Sequence, residues 1–476
     1  MKISVRTTLL LTSIYIALPI LLFFLWWTNM WVGLSVALVS VIVIGIQLKK
    51  MNDDYIFIPP KTSWIMGIFL FIWTLLSGAG HRGFFNGDYV KHNAVFNDLI
   101  TMSWPVRYHL KETGDIAYLV YYFAYYLPSA LIGKWLGWQM GNGALFVWTF
   151  IGIVLVFIWI ASFVNEKKSL WYGLLFPLFS GLDGLGKLIM RSKVVNNEWE
   201  WWGRNWQYSG NTTLFFYVPQ HALIGRLLMG MLLYISVKRK KLPLQLFLLG
   251  ASLLWSPFVF IGILPFYIFL FIHKRFSVTV LETVSISVIV FFEVLFLISN
   301  MTFFAKETLA SSWLWETEKL FGSWVLIRLM LFYLFEFGIF SFSIYQFLFK
   351  KKRGELFGLF IISVVLLFLL PWYKIGLMND LAMRSSIPAL TLISYFWIRT
   401  IIDVKKFAHL NLLICGLFVI GSLYSFILFS NGIIHFSFSS PRYTLTQLEN
   451  PKTRKQYLGY QNSLFFTLFS SHSIQK

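Results

Sequence analysis

The stretch His81-Arg82-Gly83-Phe84-Phe85-Asn86-Gly87-Asp88-Tyr89-Val90-Lys91-His92-Asn93 gathers the ionisable groups that proton-transfer chemistry needs. Asn86-Gly87 is a turn signal, and Asp88 then stands where a helix N-cap would. A helix running to about Ser103 puts Asp88, Lys91 and His92 on one face, at i, i+3 and i+4. Asn93, Asn97 and Asp98 fall on another. A carboxylate held there could serve as general base toward a hydroxyl. The plainer reading is a capping aspartate on a solvated face.

Three further groups of residues have the types that chemistry needs. Gly181-Leu182-Asp183-Gly184-Leu185-Gly186-Lys187 is no dinucleotide fingerprint, because no βαβ context surrounds it. An Asp between glycines at a helix break can still offer backbone amides and a carboxylate to a ligand, with Lys187 nearby. Trp199, Trp201, Trp202 and Trp206 follow, read as an interfacial belt rather than a sugar-stacking platform. Gln220 and His221 come next, and Arg226 lies inside an apolar run, as do Glu293, Arg328 and Glu336. Such charges are costly in a bilayer and face a cavity or a partner. Last is Asn379-Asp380-Leu381-Ala382-Met383-Arg384, between two apolar runs. An arginine one turn before a helix start suits an anion, and its fork suits phosphate. The plainer reading of Arg384 is a headgroup anchor. No Cys/His metal spacing, phosphate loop or nucleophile elbow is present.

The elements that must position these groups are membrane helices. The chain is 58% hydrophobic and 13% charged over 476 residues, about half the charge of a soluble domain. Its net charge of +20 does not indicate nucleic acid, because the positives sit in short clusters between apolar runs: Lys49-Lys50, Lys238 to Lys241, Lys274-Arg275, Lys350 to Arg353 and Lys405-Lys406. That is the positive-inside pattern. Apolar runs at 7–28, 30–48, 63–79, 116–133, 144–164, 214–237, 278–301, 322–349, 355–371, 386–402 and 408–430 suit spans. A hairpin of 244–255 and 257–272, broken at Trp255-Ser256-Pro257, completes thirteen. The N-terminal run is too long for a cleaved signal and reads as an uncleaved first span. Residues 170–181 are too short, and Pro177 breaks them, so they read as re-entrant or in-plane, which puts Lys167 and Lys168 outside.

This predicts an all-α polytopic membrane protein, with a helical domain over 1–430 and a short outer tail over 431–476. The N-terminus is cytoplasmic, and the membrane is the plasma (inner) membrane. The long loops at 80–115, 165–213, 302–321 and 372–385 then share the outer side. They carry Asp88, Asp98, Glu112, Asp115, Asp183, Glu198, Glu200, Glu307, Glu316, Glu318 and Asp380. Their length and aromatic content mark a working face.

The arrangement resembles the C-type (GT-C) membrane glycosyltransferases over about residues 60–430. The supports are Asp88 early in the first large outer loop, the amphipathic helix after it, the run Tyr121-Tyr122-Phe123-Ala124-Tyr125-Tyr126-Leu127-Pro128, and the later loop cation Arg384. The resemblance implies sugar transfer from a polyprenyl-phosphate donor to an envelope glycan, lipid or protein, with inversion. Asp88 would then be the base, and Asp98 or Asp183 would orient donor or acceptor. Lys91, His92, Lys187, Gln220, His221, Arg226, Asp380 and Arg384 would bind substrate. No cofactor is fixed, although acidic loop residues could hold magnesium or manganese. The alternatives are a transporter or flippase of a lipid-linked or anionic substrate, and a non-catalytic assembly protein.

Overall fold

The computed structural model describes the chain except residues 53, 84–86, 111–113, 191–198, 302–310, 318–322, 352–353, 377, 404–407, 439–441, 449–453 and 471–476, and the side chains at 317, 323 and 408–411. Asn86 of the expected turn, and Glu112, Glu198, Glu307 and Glu318, therefore lie outside the described residues. Among the described residues nine helices are long and apolar enough to cross a bilayer: Val5–Trp27, Met30–Lys49, Trp138–Phe163, Glu166–Met190, Pro219–Lys238, Val280–Ile298, Trp324–Phe349, Glu355–Trp372 and Leu412–Ile434. Pro60–Leu76 and Pro257–Ile272 are shorter apolar helices. Only a helix satisfies every backbone group within such a segment, so the chain is a multi-pass helical membrane protein.

The first helix belongs to the core of the bundle. Its Tyr15, Ile16, Phe23 and Trp27 are buried. Trp159 donates its indole N–H to Thr12 Oγ1 at 3.0 Å, and Trp255 donates to the Ile16 carbonyl at 3.0 Å.

One end of the bundle collects the basic clusters. Lys2–Ser4 pairs antiparallel with Tyr55–Phe57. Asp54 accepts from Tyr234 at 2.6 Å and from Lys240 at 2.7 Å. Arg275 meets Glu355 at 2.6 Å, and Lys168 pairs with Asp403. Lys167 and Lys168 thus stand at the basic end, not among the long loops.

Two expected features change together. Residues 116–133 are not one helix. Ile116–Leu119 is a strand, Ala124–Tyr126 a 3-10 turn, and Leu127–Leu136 a ten-residue helix too short to span. The density of aromatic residues suits a strand, Pro128 opens the helix, and Gly137, at φ +88°, closes it. Conversely, Glu166–Met190 is long and apolar enough to cross, as a broken segment of Ser169–Leu175, Phe176–Leu178 and Asp183–Met190. Pro177 falls in the 3-10 turn that interrupts it.

The opposite end holds the loops. Arg107–His109, Ile116–Leu119 and Leu458–Tyr460 form a three-stranded antiparallel sheet, with Tyr108 opposite Ala117 and Tyr118 opposite Gly459. The C-terminal tail therefore lies on the first loop. Ser312–Trp313 pairs with Tyr373–Lys374, joining the third and fourth loops. Of the expected spanning pair 244–255 and 257–272, the first arm is only a seven-residue helix, Gln245–Ala251, too short to span, and the second is Pro257–Ile272. Ser256 caps the second helix through Val259 N at 3.1 Å.

Candidate functional site

The first-loop helix runs Asp88–Thr101, with Gly87 at its N-cap. Asp88 is thus in the first turn, where a negative charge suits the helix dipole; it is not the cap. Its carboxylate meets Lys91 Nζ at 2.9 Å, and the side chains are 38% and 41% exposed. Burial pushes the Asp88 carboxyl up, but the positive charges of Lys91 and, further off, Arg384 pull harder, so it sits below the usual carboxylate range and is ionised at neutral pH.

His92 turns inward. Its Nε2 lies 3.0 Å from the Tyr217 carbonyl, and its Nδ1 lies 2.5 Å from the Tyr126 hydroxyl. A carbonyl only accepts, so Nε2 carries the proton and Nδ1 accepts from Tyr126. Burial brings His92 down to about 4. It is a neutral, fixed imidazole.

Arg384 comes from the short helix Asp380–Ser385, capped by the Asn379 side chain through Ala382 N at 3.4 Å. Asn379 adopts φ +59° and also donates to the Asn205 carbonyl at 3.1 Å, tying the second and fourth loops. Ser385 Oγ donates to the Phe258 carbonyl at 2.7 Å. A Cβ at Gly262 would strike the Ser385 backbone, so that glycine permits the contact. The Arg384 guanidinium is 16% exposed and bonds Asp380 Oδ1 through Nε at 2.8 Å and Nη2 at 2.7 Å. Only Ser386 separates this helix from Ile387–Asp403. The open helix N-terminus expected beside Arg384 is therefore absent, and the positive charge there is the guanidinium alone.

These groups lie within electrostatic reach of one another: the charge of Arg384 acts on Asp88, His92, Tyr121, Tyr122 and Tyr457. Tyr122 lies 4.9 Å, centroid to centroid, from His221, whose Nδ1 is 2.6 Å from Ser256 Oγ. Tyr457, from the tail, packs on Tyr121 at 4.7 Å. Asp88, Lys91, His92, His221, Asp380 and Arg384 are thus gathered at the loop end as one polar group among aromatic rings, called the mouth below. Gln220 opens the neighbouring helix fully buried, and neither end of its amide has a hydrogen-bond partner among the described residues. Beside it Ala79, His81, Tyr89, His92 and Tyr126 enclose a cavity of about 10 Å³, room for about one water.

The other candidates lie elsewhere. Asp98 Oδ2 accepts from Tyr108 at 2.8 Å and from Leu445 N at 2.9 Å, so it fastens the tail. Asp183 is buried, accepts from Ser180 at 2.9 Å and faces Glu336. Glu336 takes the Trp202 indole N–H at 2.9 Å and sits on a π-helical turn, Leu334–Gly338. Glu200 accepts from Gly210 N at 2.9 Å, Thr213 at 2.5 Å and Gln207 at 3.0 Å. Burial first, then the charge of Asp183, pushes Glu200 well above the usual range. The glycines around Asp183 make room for neighbours: a Cβ at Gly181 would strike Glu336, and one at Gly186 would strike Trp202. Lys187 lies over the Trp199 ring at 5.1 Å. Trp202 and Trp206 are buried rather than belt residues, and Trp206 donates to the Pro371 carbonyl at 3.1 Å. Arg226 lines a separate cavity. Among the described residues no group of three His, Cys, Asp or Glu side chains is placed to hold a metal ion.

Tyr457, Tyr126 and Ser256 are parts of the mouth that residue spacing did not single out as site residues. Only the aromatic density of Tyr121 to Tyr126 hinted at one of them. The chain matches no known family model, no curated protein and no solved structure.

Proposed function

We propose that the protein is a membrane glycosyltransferase that moves a sugar from a polyprenyl-phosphate donor to an envelope acceptor at the loop end of the bundle. The observation that carries this reading is an ionised, half-exposed carboxylate, Asp88, within electrostatic reach of a well-held guanidinium, Arg384, at the loop end of the bundle. In this reading the acceptor oxygen bonds the sugar's anomeric carbon while its proton passes to Asp88. The bond from that carbon to the phosphate oxygen breaks, and Arg384 stabilises the charge gathering on the leaving lipid phosphate. Neutral His92, with Tyr122 and His221, shapes the acceptor side. Attack opposite the leaving phosphate inverts the anomeric centre.

The basic end would face the cytoplasm, since it carries Lys49-Lys50, Lys167-Lys168, Lys238 to Lys241 and Lys274-Arg275. The loop end would then face away from it across the plasma membrane. Moving Lys167 and Lys168 to the basic end strengthens this assignment. A second reading, transport of an anionic or lipid-linked substrate, is favoured by Asp183 and Glu336 facing each other inside the bundle.

The test is made with purified protein in proteoliposomes, offered radiolabelled polyprenyl-phosphate sugars. Lipid-phosphate binding by Arg384→Ala should be weaker by about 10- to 150-fold, the equivalent of a charge-assisted contact, with Arg384→Lys between the two. Sugar release or transfer supports the enzyme. Movement of intact donor across the bilayer without cleavage supports the transporter, and equal binding by Arg384→Ala reduces Arg384 to a headgroup anchor.

A further inference from the structure

Arg226 sits 1% exposed on the spanning helix Pro219–Lys238, about 10 Å below its loop-end start at 1.5 Å per residue. Its Nη2 donates to the Asn211 carbonyl at 2.6 Å and to Asn211 Oδ1 at 3.2 Å, and the Phe176 ring lies 5.2 Å from Cζ. Nε and Nη1 find no acceptor among the described residues, and no described carboxylate forms an ion pair with this guanidinium. A cation inside a span without a counter-charge is costly.

Beside it is a cavity of about 10 Å³, walled by Phe163, Tyr172, Phe176, Thr391 and Tyr395. The Thr391 hydroxyl is already given to the Ile387 carbonyl at 2.8 Å. Arg226 thus lines this chamber and brings two nitrogens, Nε and Nη1, without an acceptor among the described residues, while the rest of the wall is mostly carbon. Such a chamber suits an occupant that only accepts hydrogen bonds and carries negative charge. A water also has two protons to place, for which the wall offers little. Size excludes a lipid phosphate or a sugar, since the space holds about one water-sized body.

We infer that this chamber binds one small monovalent anion of halide size, which neutralises Arg226 and braces the helices around it. The site is separate from the Asp88–Arg384 mouth and does not depend on the reading given to that mouth. In a medium of low dielectric the pairing is far stronger than in water.

The probe is bromide. The full-length protein in nanodiscs, in sodium gluconate, is titrated with sodium bromide at constant ionic strength while thermal unfolding is followed. A saturable rise in Tm of about 1–3 °C is expected for the intact chain, and no rise for Arg226→Met. Crystals soaked in bromide should show an anomalous peak beside Nε and Nη1 of Arg226, a result that stands even if the Met variant fails to fold. The absence of both a saturable response and a peak overturns the proposal. So does a response that persists unchanged in a folded Arg226→Met protein.

Discussion

The Asp98 carboxylate holds Leu445, 347 residues further along the chain, by accepting its backbone N–H at 2.9 Å. The same oxygen takes the Tyr108 hydroxyl at 2.8 Å, so one buried atom joins the first-loop helix, the small sheet and the C-terminal tail. Burial pushes Asp98 up to about 6. Between about pH 4 and 6 the folded state holds this proton while the unfolded chain releases it, so the contribution of Asp98 to stability falls as pH rises through that window. An Asn at 98 can accept both bonds through its one oxygen without a buried charge. Asp98→Asn should therefore leave Tm unchanged or higher at pH 7, with activity kept. Asp98→Ala orphans two donors and should cost about 1–3 kcal/mol. Thermal unfolding and limited proteolysis of the tail measure both. Loss of activity in a stable Asp98→Asn protein would return Asp98 to the chemistry.

Glu200 gives a second pH dependence of the same sign. Its proton is favoured in the fold by burial and by Asp183, so its contribution to stability falls as pH rises from about 4.5 into the alkaline range. In Glu200→Gln the oxygen can keep Gly210 N and Thr213, and the new amide nitrogen meets the Gln207 side chain, whose amide must flip so that Oε1, unpartnered among the described residues in the parent, accepts from it. The variant should lose less Tm than the parent between pH 6 and pH 9. Equal losses would mean that Glu200 is ionised in the fold throughout.

Topology is tested by labelling single cysteines in a Cys415→Ser background. A cysteine at Lys167 should react from the same side as one at Lys351, and one at Asn379 from the opposite side. The Lys168–Asp403 pair at the basic end is the ground for this. Labelling of positions 167 and 379 from one side would restore 116–133 as a span.

How much of this was legible in the sequence depended on the kind of signal. Long apolar runs with basic ends announced the spans at Val5–Trp27, Met30–Lys49 and Val280–Ile298, because hydropathy and loop charge act locally. The two segments that were misassigned are those where composition and geometry part company. Ile116 to Tyr126 is apolar enough for a bilayer, but Ile116–Leu119 pairs as a strand with the tail and Ala124–Tyr126 is a 3-10 turn. Leu170 to Met190 carries Pro177 and Asp183 and is still long and apolar enough to cross, with Ser180 and Glu336 facing that carboxyl inside the bundle. Asp88 and Arg384 were found because each is an ionisable group in a loop beside a span. Their meeting with Tyr457 could not be found, since the tail strand Leu458–Tyr460 that brings Tyr457 there is three residues long and has no periodic signal. Asp98 and Asp183 looked equivalent to Asp88 by type and spacing; only burial and bonding partners separate them.

Asp88→Asn tests the central claim most directly. The Asp88–Lys91 pair is solvent-exposed, and such pairs contribute about 0–1 kcal/mol, so the variant should fold with nearly the parent's Tm. Its amide cannot take a proton from an acceptor hydroxyl, and general-base assistance contributes about 10²–10⁴-fold. The measurement is the turnover of a polyprenyl-phosphate sugar in proteoliposomes at pH 7, with donor binding measured in parallel. Turnover should fall by about two to four orders of magnitude, with lipid-phosphate binding retained through Arg384. Full turnover in a folded Asp88→Asn protein would contradict it.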